Sequence, residues 1–339
     1  MKKEVFRFSH QATEIYFNAA FNGIGKLVDR KTAVIITDEN IFKHHKNRFK
    51  GWNCIVLKPG EEFKIQETVD SVIGQLIELE ADRKTFLVGV GGGVITDITG
   101  YVASVYMRGL QFGFVPTSIL AMVDASIGGK NGVDVGSYKN LVGTIRQPWF
   151  LFYDTDFLQS LPESEWQNGF AEIIKHSCIK DGRMFKELEK NDIGFYKKDK
   201  KALADLIKRN VLIKAKVVKE DEFEKGERRL LNFGHTLGHA IENIYELSHG
   251  QAVSIGMVAA CTISEKRNGF KDTKRVSSVL KKYGLPVEAD FDRKKAVSML
   301  KMDKKRAGKE MNYVLLKKIG HGQVEAIPMN ELENLLLKI

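Results

Sequence analysis

Short apolar runs and longer segments of helical spacing alternate along the first half of the chain. Residues 65–80 predict a helix, because their apolar residues fall at helical spacing: Val69, Val72, Ile73, Leu76 and Leu79. Apolar runs rich in β-branched residues predict strands at residues 32–37, 53–57, 85–90, 112–118 and 151–154. Strands that alternate with helices predict an α/β fold with a mostly parallel sheet, which binds ligands at the carboxyl ends of its strands.

Strand patterns become rare after residue 156, where helical spacing takes over. Helices are predicted around residues 169–176, 201–220 and 252–264, and a hairpin is predicted from residues 312–316 and 324–327. We therefore expect a dinucleotide-binding, Rossmann-like α/β domain at residues 1–155. A mainly α-helical domain that binds metal and substrate is expected at residues 156–339.

Composition narrows the class of protein. A chain of 339 residues can bury two cores, and none of its apolar runs approaches the length of a membrane helix. The N-terminus lacks the apolar stretch of a signal peptide. The three cysteines have no metal-like spacing, which indicates reduced thiols and a cytoplasmic location.

The formal charge of +10 suits nucleic acid, an acidic membrane or an anionic small substrate. The basic residues are not interleaved with aromatic residues, as they are in proteins that bind single strands. We expect a small anionic substrate, with neither nucleic acid nor membrane as partner.

A glycine cluster follows the third predicted strand. Gly91, Gly92 and Gly93 lack side chains, so a diphosphate can approach the backbone at the start of the next helix, where Asp97 adds an acid to the first turn. The spacing differs from the usual Rossmann fingerprint, because Val94 stands where its third glycine would be. A tight strand-to-helix turn without a ligand is the alternative.

A second glycine-rich segment, residues 122–132, carries Asp124 and Lys130, and Lys139 and Asn140 follow shortly after it. We expect these four residues to share one neighbourhood. Lysines among small residues bind anions well. A solvated, flexible loop is the alternative.

Histidines and one acid suggest a metal site. His235 and His239 are four residues apart on a predicted helix, and His249 stands just before Gly250, where a helix is expected to end. Upstream, Glu172 lies among apolar residues and three positions before Lys175. One carboxylate and imidazoles can bind a zinc-type cation. Core histidines that bind nothing, and a surface ion pair of Glu172 with Lys175, remain open alternatives.

Eight segments, in one order along nearly the whole chain, together resemble the 3-dehydroquinate synthase family. They are GGGVITD (residues 91–97), YMRG (106–109), VDASIGGKNGVD (123–134), KNLVG (139–143), AEIIKH (171–176), RRLLNFGHTLGHAIE (228–242), SHGQAVSIGM (248–257) and MDKK (302–305).

The resemblance implies a homodimer that depends on NAD and on one divalent metal ion, zinc or cobalt. Its reaction would convert 3-deoxy-D-arabino-heptulosonate 7-phosphate into 3-dehydroquinate and phosphate. The reaction would proceed in five successive steps: transient oxidation by NAD, β-elimination of phosphate, re-reduction, ring opening and an intramolecular aldol closure.

The resemblance also implies a role for each matching residue. The metal ligands would be Glu172, His235 and His249, whereas His239, which spacing alone leaves open as a ligand, would serve the substrate and proton transfer. Other substrate contacts would be Lys130, Lys175, Lys214, Arg228, Asn232 and Lys304, with Arg108 from the neighbouring subunit. NAD would contact Asp38, Asn40, Glu61, Lys64, Gly92, Gly93, Val94, Asp97, Thr117, Ser118, Asp124, Lys130, Lys139, Asn140, Phe157 and Ser160.

Two positions depart from the family pattern. Asn131 stands where threonine is common, and Asp134 stands where asparagine is frequent. Other sugar-phosphate cyclases and metal-dependent polyol dehydrogenases of the same fold remain alternatives. The related cyclases are expected to differ at Asn232, His239 or Lys304.

Overall fold

The computed structural model describes residues 2–136, 138–242, 244–300, 306–307 and 310–338. The chain divides into two compact units. The first, here called the α/β unit, comprises residues 1–166 and 200–223, and the second, the helical unit, comprises residues 167–199 and 224–339. None of the helices in the described ranges is long and apolar enough to cross a membrane.

Among the described residues, the α/β unit contains nine strands. They are β1 (Lys2–Arg7), β2 (Ala12–Phe17), β3 (Ala33–Asp38), β4 (Asn53–Leu57), β5 (Phe86–Gly91), β6 (Gln111–Pro116), β7 (Lys130–Val135), β8 (Tyr138–Ile145) and β9 (Phe150–Phe152). Seven of them form one sheet in the order β1-β2-β9-β6-β5-β3-β4. Only the β1–β2 pair is antiparallel in this sheet, so the predicted, mostly parallel α/β architecture is confirmed.

Helices cover this sheet and build most of the second unit. In chain order they are α1 (Glu39–His45), α2 (Gln66–Glu78), α3 (Gly93–Val105), α4 (Glu163–Lys180), α5 (Gly182–Lys190), α6 (Ile193–Lys198), α7 (Lys200–Glu220), α8 (His235–Glu242), α9 (His249–Asn268), α10 (Thr273–Lys282), α11 (Arg293–Leu300) and α12 (Met329–Leu336). Helix α2 buries Val69, Val72 and Leu76 of its predicted apolar positions. Leu79 is exposed, because the helix ends at Glu78. Helix α7 is grouped with the α/β unit, and the domain boundary after residue 155 stays a prediction.

The helical unit is centred on α9, which is buried on nearly every side. A small antiparallel sheet packs against this helix; its strands are β10 (Arg306–Ala307), β11 (Glu310–Lys318) and β12 (His321–Pro328). The predicted hairpin is therefore confirmed in β11 and β12.

The expectation that a helix ends at Gly250 is wrong, because α9 begins at His249. Ser248 caps this helix: its hydroxyl accepts a hydrogen bond from the Gln251 amide, and the Gln251 side chain accepts one from the Ser248 amide. The Gly250 amide donates to Oδ1 of Asn168 at 3.0 Å. Such a reciprocal capping box marks a helix start.

Strands β7 and β8 pair as an antiparallel ladder, which separates residues that were expected to share one neighbourhood. Lys130 pairs with Ile145 at the open end of the β7–β8 ladder. The Asn140 amide instead donates to Oδ1 of Asp134 at 2.6 Å, near the turn. A strand rises about 3.4 Å per residue, so Lys130 and Asp134 are about 13 Å apart. The prediction that Lys130 and Asn140 lie together is therefore wrong.

Gly256 allows α9 to approach the segment that leads into α8. A Cβ at this position would overlap the carbonyl oxygen of Gly234, the residue before His235. We expect Gly256→Ala to lower the free energy of unfolding by about 1–3 kcal/mol, the usual cost of overpacking a core. Urea denaturation followed by circular dichroism measures this change.

Gly74→Ala is the matched control, because a Cβ there meets nothing within 4 Å and the residue lies inside α2. This change is expected to stabilise the protein by about 0.5–1 kcal/mol through the higher helix propensity of alanine. Equal effects of the two changes would contradict the packing argument.

Candidate metal and cofactor sites

The carboxylate of Glu172, on α4, is fully buried and surrounded by basic groups. Its Oε2 forms an ion pair with Lys175, one helical turn further on, which is 1% exposed. Its Oε1 lies 3.4 Å from Nε2 of His235 and 3.2 Å from Nε2 of His249. A buried carboxylate is tolerated only with such partners, so this arrangement is a built site rather than a surface ion pair.

Two helices bring the imidazoles to this carboxylate. His235 opens α8 and His249 opens α9, with ring centroids 5.4 Å apart. One ligand atom each from Glu172, His235 and His249 lies within 4.8 Å of the other two. One carboxylate and two imidazoles form the ligand set of a catalytic zinc-type ion, so these residues fit a divalent cation.

His239 lies beside this group, one turn after His235 on α8. Its ring centroid is 5.1 Å from that of His235 and 6.3 Å from that of His249. His239, Glu242 and His249 also have ligand atoms within 4.8 Å of one another. His239 therefore lies close enough to act on a molecule bound at the carboxylate and the two imidazoles.

The electrostatics of the site favour a cation beside Glu172. Burial raises the pKa of Glu172, but Lys175 and His235 outweigh burial and hold that pKa well below its usual value. Burial and the nearby Lys175 lower the pKa of His235 to about 4, so its imidazole is neutral at neutral pH. Burial lowers the pKa of His249, but hydrogen bonds to Glu172 and Glu242 raise it to about 10.

Each of these imidazoles has its Nδ1 beside an acceptor. Nδ1 of His235 lies 3.2 Å from the Phe233 carbonyl oxygen, and Nδ1 of His249 lies 3.5 Å from Oε2 of Glu242. Glu242 had no assigned role in the sequence prediction. It follows His235 by seven residues and His239 by three, so helical spacing alone would have placed it on their face.

Two predicted substrate residues of the helical unit, Arg228 and Asn232, stand shortly before His235 in the sequence. Arg228 is buried in a 3₁₀ turn, Glu227–Asn232. The side-chain amide (Nδ2) of Asn232 donates to Oε1 of Glu224 at 2.6 Å, a partner that sequence reasoning missed. Lys304 lies outside the described residues.

In the α/β unit, Lys214 of α7 is buried and bonded to Asp124. Its Nζ lies 2.8 Å from Oδ1 of Asp124 and donates to the carbonyl oxygen of the same residue at 2.8 Å. Lys130 is exposed at the start of β7. A predicted substrate contact, Lys214, and a predicted NAD contact, Asp124, are thus brought together.

The predicted diphosphate residues cluster at the start of α3. Gly92 is the N-cap of this helix, and Gly93 and Val94 form its first turn. The amide of Thr117 donates to the carbonyl oxygen of Gly91 at 2.9 Å, which places the end of β6 beside this turn. Free helical amides of this kind bind phosphate.

Asp97 is the fifth residue of α3, so the expectation that it lies in the first turn is wrong. Its carboxylate instead pairs with the buried Nζ of Lys64 at 2.6 Å. Lys64 also donates to Oδ1 of Asn140 at 2.6 Å and lies 3.6 Å from Oε1 of Glu61. Burial lowers the pKa of Lys64, but Asp97 and Glu61 outweigh burial and raise it. Three predicted NAD contacts thus surround the ammonium of a fourth, Lys64.

Four further predicted NAD contacts lie at the two ends of α1. Asp38 caps this helix by accepting a hydrogen bond from the Ile41 amide at 2.9 Å, and Asn40 lies in its first turn. At the other end of α1, Nε2 of His45 lies 2.9 Å from Oγ of Ser160, and its ring is 4.7 Å from that of Phe157.

Lys175→Met tests the electrostatic role of the lysine, because it removes the ammonium while keeping most of the side-chain volume. The metal-free protein is expected to lose about 3–5 kcal/mol of unfolding free energy, since a buried carboxylate loses a partner. Denaturant titration in the presence of a chelator measures the loss.

Arg275→Met is the control, because Arg275 pairs with Glu189 on the surface. Its cost is expected to be about 1 kcal/mol or less. A Lys175→Met protein as stable as this control would contradict the role assigned to the buried pair.

Comparisons with known proteins place the chain in a family. A family model described as 3-dehydroquinate synthase N-terminal matches residues 54–168, and one described as 3-dehydroquinate synthase C-terminal matches residues 169–306. The chain is 41% identical over 289 residues to the 3-dehydroquinate synthase of Pyrococcus abyssi, which covers 84% of this chain and 83% of that protein. It is 36% identical over 345 aligned residues to that of Leptospira interrogans, covering 97% and 95% of the two chains.

Solved structures agree with this result. A 2-deoxy-scyllo-inosose synthase complexed with carbaglucose-6-phosphate, NAD+ and Co2+ matches with a TM-score of 0.86 at 25% identity, covering 99% of this chain and 100% of that one. A 2-epi-5-epi-valiolone synthase from Streptomyces hygroscopicus with NAD+ and Zn2+ bound also has a TM-score of 0.86 at 25% identity, with 99% and 98% covered. The chain belongs to the 3-dehydroquinate synthase family of the shikimate pathway.

Proposed function

We propose that this chain converts 3-deoxy-D-arabino-heptulosonate 7-phosphate into 3-dehydroquinate and phosphate, with NAD and one divalent metal ion as cofactors. The observation that carries the proposal is the position of the Glu172 Oε1 atom, 3.4 and 3.2 Å from two imidazole nitrogens. Structures of related cyclases with NAD+ and with Co2+ or Zn2+ support the choice of cofactors.

Glu172, His235 and His249 would hold the metal ion, because their ligand atoms already converge. A bound metal ion would supply the Lewis acidity needed at the substrate hydroxyl to be oxidised, and NAD would supply a reversible hydride acceptor. Lys175 would keep Glu172 charged, since it pairs with the oxygen that faces away from the imidazoles. His239 would exchange protons with the substrate through its ring nitrogens, and its place beside His235 supports that role.

NAD would be bound by the predicted set in the α/β unit. The amides at the start of α3, formed by Gly92, Gly93 and Val94, suit its diphosphate. The residues around Lys64 and α1 would position its two ends. These residues are Asp38, Asn40, Glu61, Lys64, Asp97, Thr117, Ser118, Asp124, Lys130, Lys139, Asn140, Phe157 and Ser160.

The substrate carries a carboxylate and a phosphate, so it needs several cations. We assign Lys130, Lys175, Lys214 and Arg228 to these anionic groups and Asn232 to a hydroxyl. Lysine and arginine bind such groups through charge-assisted hydrogen bonds. Lys304 is assigned by family resemblance alone.

A second copy of the chain would complete the site by supplying Arg108. Seven large apolar residues of the α/β unit support a homodimer, because each is between 40% and 56% exposed: Val105, Met107, Val135, Tyr138, Leu141, Val142 and Ile145. They lie on the β7–β8 hairpin and on the turn that carries Arg108, and Oγ1 of Thr144 donates to Oγ of Ser104 across these segments at 3.0 Å. Exposed apolar patches with an open strand edge commonly mark protein interfaces.

The backbone at Arg108 also supports a functional role. Met107 and Arg108 have φ values of 47° and 66°, in the left-handed region that side chains other than glycine rarely adopt. Such strain persists where surrounding structure over-determines it, and it is often found at functional sites. Arg108 is exposed on this strained turn.

We also propose that the protein acts in the cytoplasm. Its three cysteines are free thiols, and two of them, Cys178 and Cys261, are buried. Proteins of reducing compartments commonly keep their cysteines in this form.

Phosphate release tests the proposed reaction. Inorganic phosphate is expected from the heptulosonate phosphate only when NAD and a divalent metal ion are both present, and Zn2+ or Co2+ should restore activity after chelation. His249→Ala is expected to lower the rate of phosphate release by more than about 100-fold. This loss exceeds the usual effect of removing the hydrogen-bond partner of a metal ligand.

Glucose 6-phosphate, which has no carboxylate, is the control substrate. Faster phosphate release from glucose 6-phosphate than from the heptulosonate phosphate would point to another cyclase activity and contradict the proposal.

Complementation tests the homodimer. Arg108→Ala should lower turnover by about 10- to 100-fold, which corresponds to the loss of one hydrogen bond to a charged group. When Arg108→Ala and His249→Ala chains are coexpressed in equal amounts, each mixed dimer should contain one intact site. Random pairing then predicts about a quarter of wild-type activity.

Recovery no greater than the sum of the two separate variants would contradict a shared site. Arg83→Ala, on the exposed turn before β5, is the control and should leave turnover unchanged.

A further inference from the structure

The imidazole of His249 lies between two carboxylates, one at each ring nitrogen. Nε2 is 3.2 Å from Oε1 of Glu172, and Nδ1 is 3.5 Å from Oε2 of Glu242. The Glu242 side chain is 5% exposed, so water competes little for its oxygens. A carboxylate that is nearly buried beside a proposed metal ligand suggests a specific task.

The surroundings of the other imidazole, that of His235, indicate the role of Glu242. Its Nε2 also faces Glu172, and its Nδ1 lies beside the Phe233 carbonyl, which can only accept a hydrogen bond. That contact keeps the proton on Nδ1 and leaves the Nε2 lone pair for a metal ion. The backbone thus determines the orientation and tautomer of His235.

We infer that Glu242 is a positioning residue, which holds Nδ1–H of His249 and thereby directs the Nε2 lone pair to the metal ion. This inference rests on the metal site of the proposed function. Glu242 would accept a hydrogen bond from His249, as the Phe233 carbonyl does from His235. Unlike a backbone carbonyl, the Glu242 side chain can be removed by mutation.

The place of His249 in the fold explains why a carboxylate is used. His249 is the first residue of α9, where the helix carries a partial positive charge and its free amides can only donate hydrogen bonds. No carbonyl of that first turn points back to the ring, because helical carbonyls point towards the C-terminus. Glu242, the last residue of α8, supplies a hydrogen-bond acceptor. Its negative charge also raises the basicity of the His249 imidazole.

Metal affinity tests this role without reference to turnover. The purified full chain is stripped of metal, and its Co2+ dissociation constant is measured by competition with a chelator. Glu242→Ala should raise this constant by about 10- to 100-fold, the usual effect of losing the hydrogen-bond partner of a metal-bound histidine. Glu242→Gln should raise it less, because its amide oxygen still accepts a hydrogen bond from Nδ1–H.

The absorption spectrum of bound Co2+ separates positioning from a general effect on folding. At saturating Co2+, Glu242→Ala should change the visible bands relative to wild type, because the His249 ring is no longer held. Glu246→Gln is the matched control, an exposed acid four residues further on, and should change neither affinity nor spectrum. Glu242→Gln has nearly the same shape as the native side chain and provides the test if Glu242→Ala does not fold.

Three results would overturn the inference. Wild-type affinity and spectrum in both Glu242 variants would show that His249 needs no such partner. A loss as complete as that of His249→Ala would make Glu242 a ligand itself. Weaker binding with an unchanged Co2+ spectrum and a lower melting temperature of the metal-free protein would indicate a structural role. By contrast, a wild-type chain that binds no Co2+ would refute the proposed metal site as a whole.

Discussion

The helical unit depends on one buried carboxylate, that of Glu172. Removing a carboxylate from water costs several kcal/mol unless cations and hydrogen bonds replace the solvent. Lys175 can do so from the same helix, but His235 and His249 must come from the starts of α8 and α9. The close approach of α8 and α9, which a side chain at Gly256 would prevent, is therefore a condition for the site as well as for the core.

The α/β unit uses the same principle with the charges reversed. One of its buried ions is the ammonium of Lys64, and Asp97, Glu61 and Asn140 surround it. These groups come from separate segments, so the ammonium joins the start of α2, helix α3 and the β7–β8 hairpin. One ion pair in each unit thus stabilises the structure and assembles the residues proposed to bind a cofactor.

Periodicity predicted much of the fold, and its errors have physical causes. Central strands such as β3 and β5 are buried on both faces and appear as continuous apolar runs. The β1–β2 hairpin was missed because β1, KKEVFR, is an exposed edge strand with charged residues. The polarity of the helix at His249 was misjudged because Gly250 resembles a C-cap, whereas Ser248 and Gln251 form an N-terminal capping box.

The sequence by itself determined the α/β class and the family, because these follow from local periodicity and from motifs in a constant order. It also placed His235 and His239 on one helical face. Only the tertiary structure decided which atoms meet: Glu172 and His249 are 77 residues apart, yet Oε1 and Nε2 lie 3.2 Å from each other. Spacing determines side-chain direction within one element, whereas contacts between elements, such as that of Glu242 with His249, depend on how helices pack.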